Sequence, residues 1–242
     1  MADTTPPARF ENPCPFRFTL EQYYRLGALG FFDEKRLELI YGEIIDKYPN
    51  DPIDRGSRPL RFTREQFYRM GELGFFSGRR VELVLGELVV SAPVGEPHVA
   101  CVSLATDLLK AAFGARHYVR VQAPLNLGVI DPQPDLAVVP GGPRDHSVTP
   151  AVALIVIEVA DTTLAYDLTT KAELYATAGV PEYWVLDIEN RQLIVFRDPL
   201  PLPFPPDLAA TAYRTHLTLA PTDRVSPLAA PTASILVSDL LP

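Results

Sequence analysis

The stretch from Asp131 to Asp187 constrains the fold most, because strand patterns and a helix pattern follow one another within it. Val152–Val159 is apolar at both alternating positions, as in a central strand that is buried on both faces. Thr163–Ala178 has the pattern of a helix, and Gly179 directly after it is a typical helix end. The stretch therefore predicts a buried strand followed by a helix that packs against its sheet.

Each of two strand patterns in this stretch carries one carboxylate. Asp135 opens Asp135–Val139, and Glu158 lies inside Val152–Val159. A buried carboxylate is costly unless it is paired, protonated or bound to a metal. If the strands are neighbours, both acids could reach one ion, and hard oxygen ligands suit Mg²⁺ or Mn²⁺. The alternatives are that Asp135 is an ordinary strand-entry residue and that Glu158 lies in solvent or pairs with an arginine.

Asp167 and Lys171 lie four positions apart in the predicted helix, so they share one of its faces. If that face is turned toward the sheet, Lys171 can reach the acids and orient water or offset charge on a phosphate. If it is turned toward solvent, the two residues form a surface ion pair worth ~0.3–0.5 kcal/mol. The sequence leaves both alternatives open.

Two other polar residues are weaker candidates. His98 follows Pro97 at the start of another predicted helix, where a structural role is expected. Glu82 and Glu87 flank Gly86 in a hairpin pattern and could form its solvent face. A catalytic role for Glu82 as an outer-shell acid is the alternative.

An internal repeat occupies the first part of the chain. Arg17–Ile45 matches Arg61–Val89 at a constant offset of 44, with 17 of 29 positions identical. Each copy opens with a Thr-x-x-Gln capping box and continues as a short helix, a glycine and a hairpin pattern. This predicts one helix–hairpin unit that has been duplicated, with Lys47–Pro59 as a linker. The first copy is expected to extend a sheet edge or a dimer interface.

The remaining patterns complete a fold prediction. Pro97–Phe113 predicts a helix with an apolar stripe, and His117–Leu127 predicts a strand. A strand hairpin is predicted over Tyr183–Ile188 and Gln192–Arg197, with weaker strands over 212–219 and 234–237. The predicted fold class is α/β or α+β, with a mixed β-sheet flanked by helices.

Composition limits the classes of partner and compartment. A net charge of −8 argues against a broad nucleic-acid-binding surface but permits a local basic groove. Cys14 and Cys101 have no CxxC spacing, which indicates reduced thiols and a cytoplasmic protein. No run of eighteen apolar residues occurs, so neither a membrane span nor a signal peptide is expected.

Six short motifs resemble those of one family and follow in the same order: Val81–Glu87, Pro97-His98, Pro134-Asp135, Ile157–Val159, Asp167-x-x-x-Lys171-x-x-x-Tyr175 and Gly179–Trp184. The resemblance is to the Uma2 family, formerly DUF820, a group of restriction-endonuclease-like proteins in the PD-(D/E)XK nuclease superfamily. It covers Arg61 to the C-terminus. The implied organisation is an N-terminal extension over 1–59 and a nuclease-like domain over 60–242.

The resemblance implies a metal-dependent nuclease with Asp135 as the first acid and Glu158 as the second. The superfamily motif places lysine two positions after the second acid, where this chain has Ala160. The resemblance implies that Lys171 replaces that lysine from the following helix.

The resulting hypothesis is a Mg²⁺- or Mn²⁺-dependent endonuclease that hydrolyses DNA phosphodiester bonds. Asp135 and Glu158 would hold the metal, Lys171 would position water or offset charge, and Asp167 would orient Lys171. Expected partners are DNA and a second copy of the chain, with no membrane. The alternative is a non-catalytic binding or assembly protein with a nuclease fold, which the acidic charge and the displaced lysine favour.

Overall fold

The computed structural model describes residues 13–32, 37–47, 57–90, 94–128, 130–200 and 212–242. The chain divides into two compact units, residues 1–92 and 93–242. Both copies of the repeat lie in the first unit. The boundary expected between residues 59 and 60 stays a prediction, and most of the expected linker lies outside the described residues.

The first unit consists of the two helix–hairpin copies, each preceded by a two-residue strand. Its elements are β1 (Cys14–Pro15), α1 (Leu20–Ala28), β2 (Leu37–Ile40), β3 (Glu43–Asp46), β4 (Arg58–Pro59), α2 (Arg64–Glu72), β5 (Val81–Val84) and β6 (Glu87–Val90). β2 pairs with β3 and β5 with β6, both antiparallel, so the two predicted hairpins are confirmed.

Both predicted capping boxes are formed at the helix starts. The Thr19 hydroxyl accepts from the Gln22 amide at 3.1 Å, and the Gln22 side chain accepts from the Thr19 amide at 2.9 Å. Thr63 and Gln66 make the same two bonds at 3.2 and 2.9 Å. These bonds satisfy amides that have no partner within the first turn, which is why each helix begins at this point.

The first unit has one hydrophobic core to which both copies contribute. Its buried residues are Phe16, Phe18, Leu26, Phe31, Ile44, Leu60, Phe62, Met70, Phe75, Val81, Leu83 and Leu88. The first copy therefore packs against the second, which the repeat pattern did not predict.

The second unit contains two helices and eight strands among the described residues. The elements are α3 (Glu96–Phe113), β7 (His117–Val121), β8 (Leu136–Pro140), β9 (Ile155–Ala160), α4 (164–177), β10 (Glu182–Asp187), β11 (Gln192–Pro199), β12 (Tyr213–Leu219), β13 (Arg224–Val225) and β14 (Ile235–Leu236). Short 3₁₀ turns occupy Gly114–Arg116, Pro143–Asp145 and Val237–Leu240.

Six strands form a mixed sheet in the order β12-β11-β10-β9-β8-β7. β9 and β10 pair in parallel and are joined by α4, whereas the other neighbouring strands are antiparallel. All six residues of β9 are buried, as its apolar pattern predicted. The mixed sheet flanked by helices confirms the predicted fold class.

Helix α3 packs against one face of this sheet. Its buried Cys101, Ala105 and Leu109 belong to the same core cluster as Ile155 and Ile157 of β9. Among the described residues, one helix, spanning 96–116, is long and apolar enough to cross a membrane by length and composition. The core helix of a soluble protein has the same properties, so the expected absence of a membrane span stays a prediction.

The predicted strand over His117–Leu127 is too long, because β7 ends at Val121. Gln122 has a φ of +45°, a left-handed conformation that interrupts a strand. Its amide still donates to the Asp135 carbonyl at 2.9 Å. The turn at Gln122 therefore ends β7 beside Asp135.

The two cysteines are expected to differ strongly in reactivity. Cys14 is exposed, whereas Cys101 is buried and its Sγ lies 3.1 Å from the Leu240 carbonyl oxygen. Burial, and then the charge of Asp135, raises the pKa of Cys101 from 9.0 to about 12. At pH 8 a thiol reagent should titrate one thiol in the native protein and two in guanidinium chloride.

The raised pKa of Cys101 also makes the free energy of unfolding depend on pH in a defined direction. The folded state keeps its proton on Cys101 at pH values where the unfolded state loses it. The contribution is therefore complete below pH 9 and is lost as the pH rises toward 12. Equal reaction rates of both thiols in the native protein would contradict the buried position of Cys101.

Candidate active site

The two strand-borne acids lie opposite one another on neighbouring strands. β8 and β9 are antiparallel with Leu136 opposite Ile157, and continuing that register by one residue places Asp135 opposite Glu158. The Asp135 amide lies 3.4 Å from Glu158 Oε2, and the Val159 amide donates to Asp135 Oδ2 at 3.0 Å. Both side chains are buried, with 3% and 2% of their surface exposed. The structure thus brings the two predicted acids together.

Helix α3 contributes a histidine to this cluster. His98 Nε2 lies 3.2 Å from Asp135 Oδ1, and both side chains are buried. Gln122 Nε2 also lies 3.5 Å from the same oxygen. Sequence reasoning assigned His98 only a structural role at a helix start. The usable signal was its place in the Pro97-His98 motif, which precedes the two acids in the family order.

Glu158 faces helix α4 and has two partners there. Lys171 Nζ lies 2.9 Å from Glu158 Oε1, and the Tyr175 hydroxyl donates to the same oxygen at 2.7 Å. Tyr175 is fully buried. The alternative of a solvated Glu158 is therefore wrong, and the cation beside it is a lysine. Tyr175 was present in the helix motif, but sequence reasoning gave it no role.

Asp167 and Lys171 form a buried pair rather than a surface pair. Lys171 Nζ lies 3.5 Å from Asp167 Oδ1, and the side chains are 12% and 2% exposed. Residues Asp167–Lys171 form one π-helical turn inside α4, a feature that occurs often at functional sites. The face that carries Asp167 and Lys171 is therefore turned toward the sheet.

Two hydroxyl groups hold Asp167 in place. Thr163 donates from its hydroxyl to Asp167 Oδ2, and the Tyr183 hydroxyl donates to the Asp167 carbonyl at 3.0 Å. Burial, followed by the nearby charges of Asp167 and Glu158, raises the pKa of Tyr183 well above its ordinary value. Tyr183 therefore stays protonated and remains a donor throughout the usual pH range.

Glu82 lies in the first unit, in β5. It is 3% exposed, so its assignment to the solvent face of a hairpin is wrong. Its Oε1 lies 3.7 Å from Arg80 Nε. The role of an outer-shell acid for Glu82 stays a prediction.

Glu182 is a further buried acid, but its surroundings differ from those of Glu158. Glu182 Oε1 accepts from Arg197 Nε and Nη2, at 2.9 and 2.7 Å, and from Trp184 Nε1 at 2.9 Å. Its Oε2 accepts from the Leu228 amide at 2.6 Å. Glu182 therefore links Arg197, Trp184 and the Leu228 amide, which indicates a structural role.

The Asp135 cluster offers two carboxylates to a divalent cation, those of Asp135 and Glu158. In the described parts of the chain, no group of three or more His, Cys, Asp or Glu side chains is arranged to hold a metal ion. Mg²⁺ needs fewer protein ligands, since one or two carboxylates commonly bind it together with water and substrate phosphate. Asp135 and Glu158, which lie opposite one another on neighbouring strands, supply two carboxylates and so meet that smaller requirement in number.

Comparisons with known proteins assign this chain to a family. The Uma2 family, described as "Putative restriction endonuclease", matches residues 64–228, which are 165 of the 242 residues. The whole first copy of the repeat lies outside the matched residues. No curated protein matches the chain.

A solved structure supports the fold independently. It is described as a putative nuclease belonging to DUF820 from Anabaena variabilis, and it superposes with a TM-score of 0.57 at 16% identity. The superposition covers 75% of this chain and 97% of that chain. The family match and the fold agree, and this chain belongs to the Uma2 family of restriction-endonuclease-like proteins.

Proposed function

We propose that this protein is a nuclease that uses Mg²⁺ or Mn²⁺ to hydrolyse phosphodiester bonds in DNA. One observation carries the proposal: Asp135, Glu158 and Lys171 come from different elements yet form one buried cluster. Buried ionisable groups are costly unless they are paired or bind a metal, and clusters of such groups often mark functional sites. The family description supports a nuclease, and the cluster supplies the residue types that such chemistry needs.

Each residue of the cluster has a proposed role. Asp135 and Glu158 hold the cation, which when bound lowers the pKa of a water molecule and polarises the phosphate. Lys171 orients that water or offsets the charge that develops on the phosphate. Asp167 positions Lys171 through the 3.5 Å contact between their side chains.

His98 and Tyr175 are proposed as positioning residues. His98 contacts Asp135 Oδ1, and Tyr175 donates to Glu158 Oε1. Each contact fixes the direction of one acid, as groups that bond to metal ligands commonly do. Cytoplasmic localisation stays a prediction beside this proposal.

The proposal is tested by cleavage of single- and double-stranded DNA with Mn²⁺. The wild-type protein should cut at least one of the two, and Asp135→Ala should lose that cleavage because one of two carboxylate ligands is gone. Asp107→Asn is the matched control, since Asp107 lies on the exposed face of α3. Equal cleavage by the wild-type protein and Asp135→Ala would refute the assignment.

One contact favours a second candidate function. Lys171 Nζ lies 2.9 Å from Glu158 Oε1, where a cation would compete with it, and the chain has a net charge of −8. Both facts suit a non-catalytic binding or assembly protein. Calorimetric titration with Mn²⁺ separates the two: heat of binding that Asp135→Ala abolishes supports the nuclease, and no heat at millimolar metal supports the alternative.

A further inference from the structure

The two copies of the repeat exchange strands reciprocally. β1, which precedes the first copy, pairs with β6 of the second copy, with Cys14 opposite Val90. β4, which precedes the second copy, pairs with β3 of the first, with Arg58 opposite Asp46. Both pairings are antiparallel, and each residue of one pairing lies 44 positions from its counterpart in the other. One pairing is therefore the repeat of the other.

The glutamines of the two capping boxes also form hydrogen bonds between the copies. Gln22 Nε2 in the first copy donates to the Phe75 carbonyl of the second at 3.4 Å. Gln66 Nε2 in the second copy donates to the Phe31 carbonyl of the first at 3.2 Å. The same glutamines that close the capping boxes thus bridge the two copies in both directions.

Two arginines make a second reciprocal pair of contacts. Arg25 donates to the Leu73 carbonyl at 3.0 Å, and Arg69 donates to the Leu29 carbonyl at 3.0 Å. Each guanidinium also lies over an aromatic ring of the other copy, 4.7 and 4.8 Å from the ring centre. Both of these contacts, the bond to a carbonyl and the stacking on a ring, therefore occur once in each direction.

A pocket in the first unit has the same symmetry. Each residue that lines it has its counterpart 44 positions away in the lining as well. Examples are Pro15 and Pro59, Phe18 and Phe62, and Glu43 and Glu87. An approximate two-fold axis relates the copies, because only such an axis gives equivalent contacts in both directions.

We infer that the first copy occupies, within one chain, the place of a second subunit's arm. The face of residues 58–90 that it covers is self-complementary, so the partner that fits this face is another copy of the same segment. The family match begins at residue 64, within the second copy, so the first copy is the added part. The inference rests on the first unit alone and is independent of the proposed nuclease activity.

A disulfide at the exchanged strand tests whether the contact forms within one chain. Cα atoms of directly opposed antiparallel residues are about 4.5–5.5 Å apart. The Cα atoms of two disulfide-bonded cysteines are roughly 4.4–6.8 Å apart, so Val90→Cys places a thiol within reach of native Cys14. Mild oxidation of the full-length variant should give an intrachain disulfide, seen as a one-chain band on a non-reducing gel and a peptide linking positions 14 and 90.

The double variant Cys14→Ser with Val90→Cys is the control and should give no such linked peptide. A dimeric band linked through positions 14 and 90, or the absence of any link between them in the folded protein, would overturn the inference. Dimerisation through another surface does not affect the result, because the linked peptide identifies the contact.

A chain with two identical copies tests whether the face of the second copy fits itself. Residues 17–45 are replaced by the sequence of residues 61–89, which changes 12 of 29 positions. With Val90→Cys, this chain should form the same intrachain link and melt within about 5 °C of the wild-type protein. Loss of the link or of the folded first unit would show that the face is not self-complementary.

Two single variants keep the symmetry testable in a folded chain. Arg25→Ala and Arg69→Ala each remove one bond to a carbonyl and one contact with a ring. Because the two contacts are equivalent, the midpoints of thermal unfolding should fall equally, within about 2 °C of each other. A fall confined to one variant would overturn the two-fold relation.

Discussion

Lys171→Met is expected to lower the rate of DNA cleavage by about 10²- to 10³-fold without weakening Mn²⁺ binding. Lys171 is the cation that contacts Glu158 Oε1 and Asp167 Oδ1, at 2.9 and 3.5 Å. Methionine keeps most of the volume of the side chain and removes its charge. The variant should therefore lose stabilisation of negative charge at the reacting phosphate but retain both carboxylates that we propose as metal ligands.

The measurement is cleavage rate and Mn²⁺ affinity on the same preparations. Asp135→Asn is the contrasting variant, because it should lose cleavage and metal affinity together. Lys171→Arg keeps the charge and should recover part of the lost rate. If Lys171→Met cleaves DNA at the wild-type rate while Asp135→Asn is inactive, Lys171 has no role in the proposed chemistry. The proposed metal site would not be affected by that result.

Arg197→Met is expected to destabilise the second unit by about 3–5 kcal/mol. Glu182 is fully buried and receives two hydrogen bonds from Arg197. Without the guanidinium, the carboxylate keeps only its bonds from Trp184 and the Leu228 amide. A buried charge without its counter-ion is much less stable than the pair, because the low dielectric of the core replaces the lost solvation poorly.

Urea unfolding followed by tryptophan fluorescence measures this loss in the relevant unit. The chain has one tryptophan, Trp184, which is buried in the sheet beside Glu182. Arg214→Met is the matched control, since Arg214 is exposed in β12 of the same unit. Surface substitutions usually change stability by no more than about 0.5 kcal/mol. A loss below about 1 kcal/mol in Arg197→Met would contradict a structural role for the Glu182 network.

The contrast between Glu158 and Glu182 explains why sequence reasoning found one buried acid and not the other. Glu158 interrupts a run of apolar residues, so the pattern itself exposes an unusual charge. Glu182 stands at the start of its strand beside Pro181, where an acid is unremarkable. Glu182 lies one residue before the predicted strand Tyr183–Ile188, and its pairing with Arg197 is seen only in the observed register of β10 and β11.

Local patterns were sufficient for most of the elements. The capping boxes, the paired hairpins and the buried strand β9 follow from the bonding and periodicity of neighbouring residues. Strand ends were less accurate, since the left-handed conformation of Gln122 depends on the turn that it makes beside Asp135. Such a turn is fixed by contacts beyond its own sequence.

The sequence by itself determined the fold class and the duplication, and it indicated Asp135, Glu158 and Lys171 as candidate site residues. Tertiary structure decided that these residues meet, that His98 and Tyr175 join them, and that the two copies pack through exchanged strands. The physical reason is the distance along the chain over which each kind of interaction acts. Periodicity and capping depend on residues within about one or two turns, whereas pairing across a sheet depends on register between segments far apart in the chain.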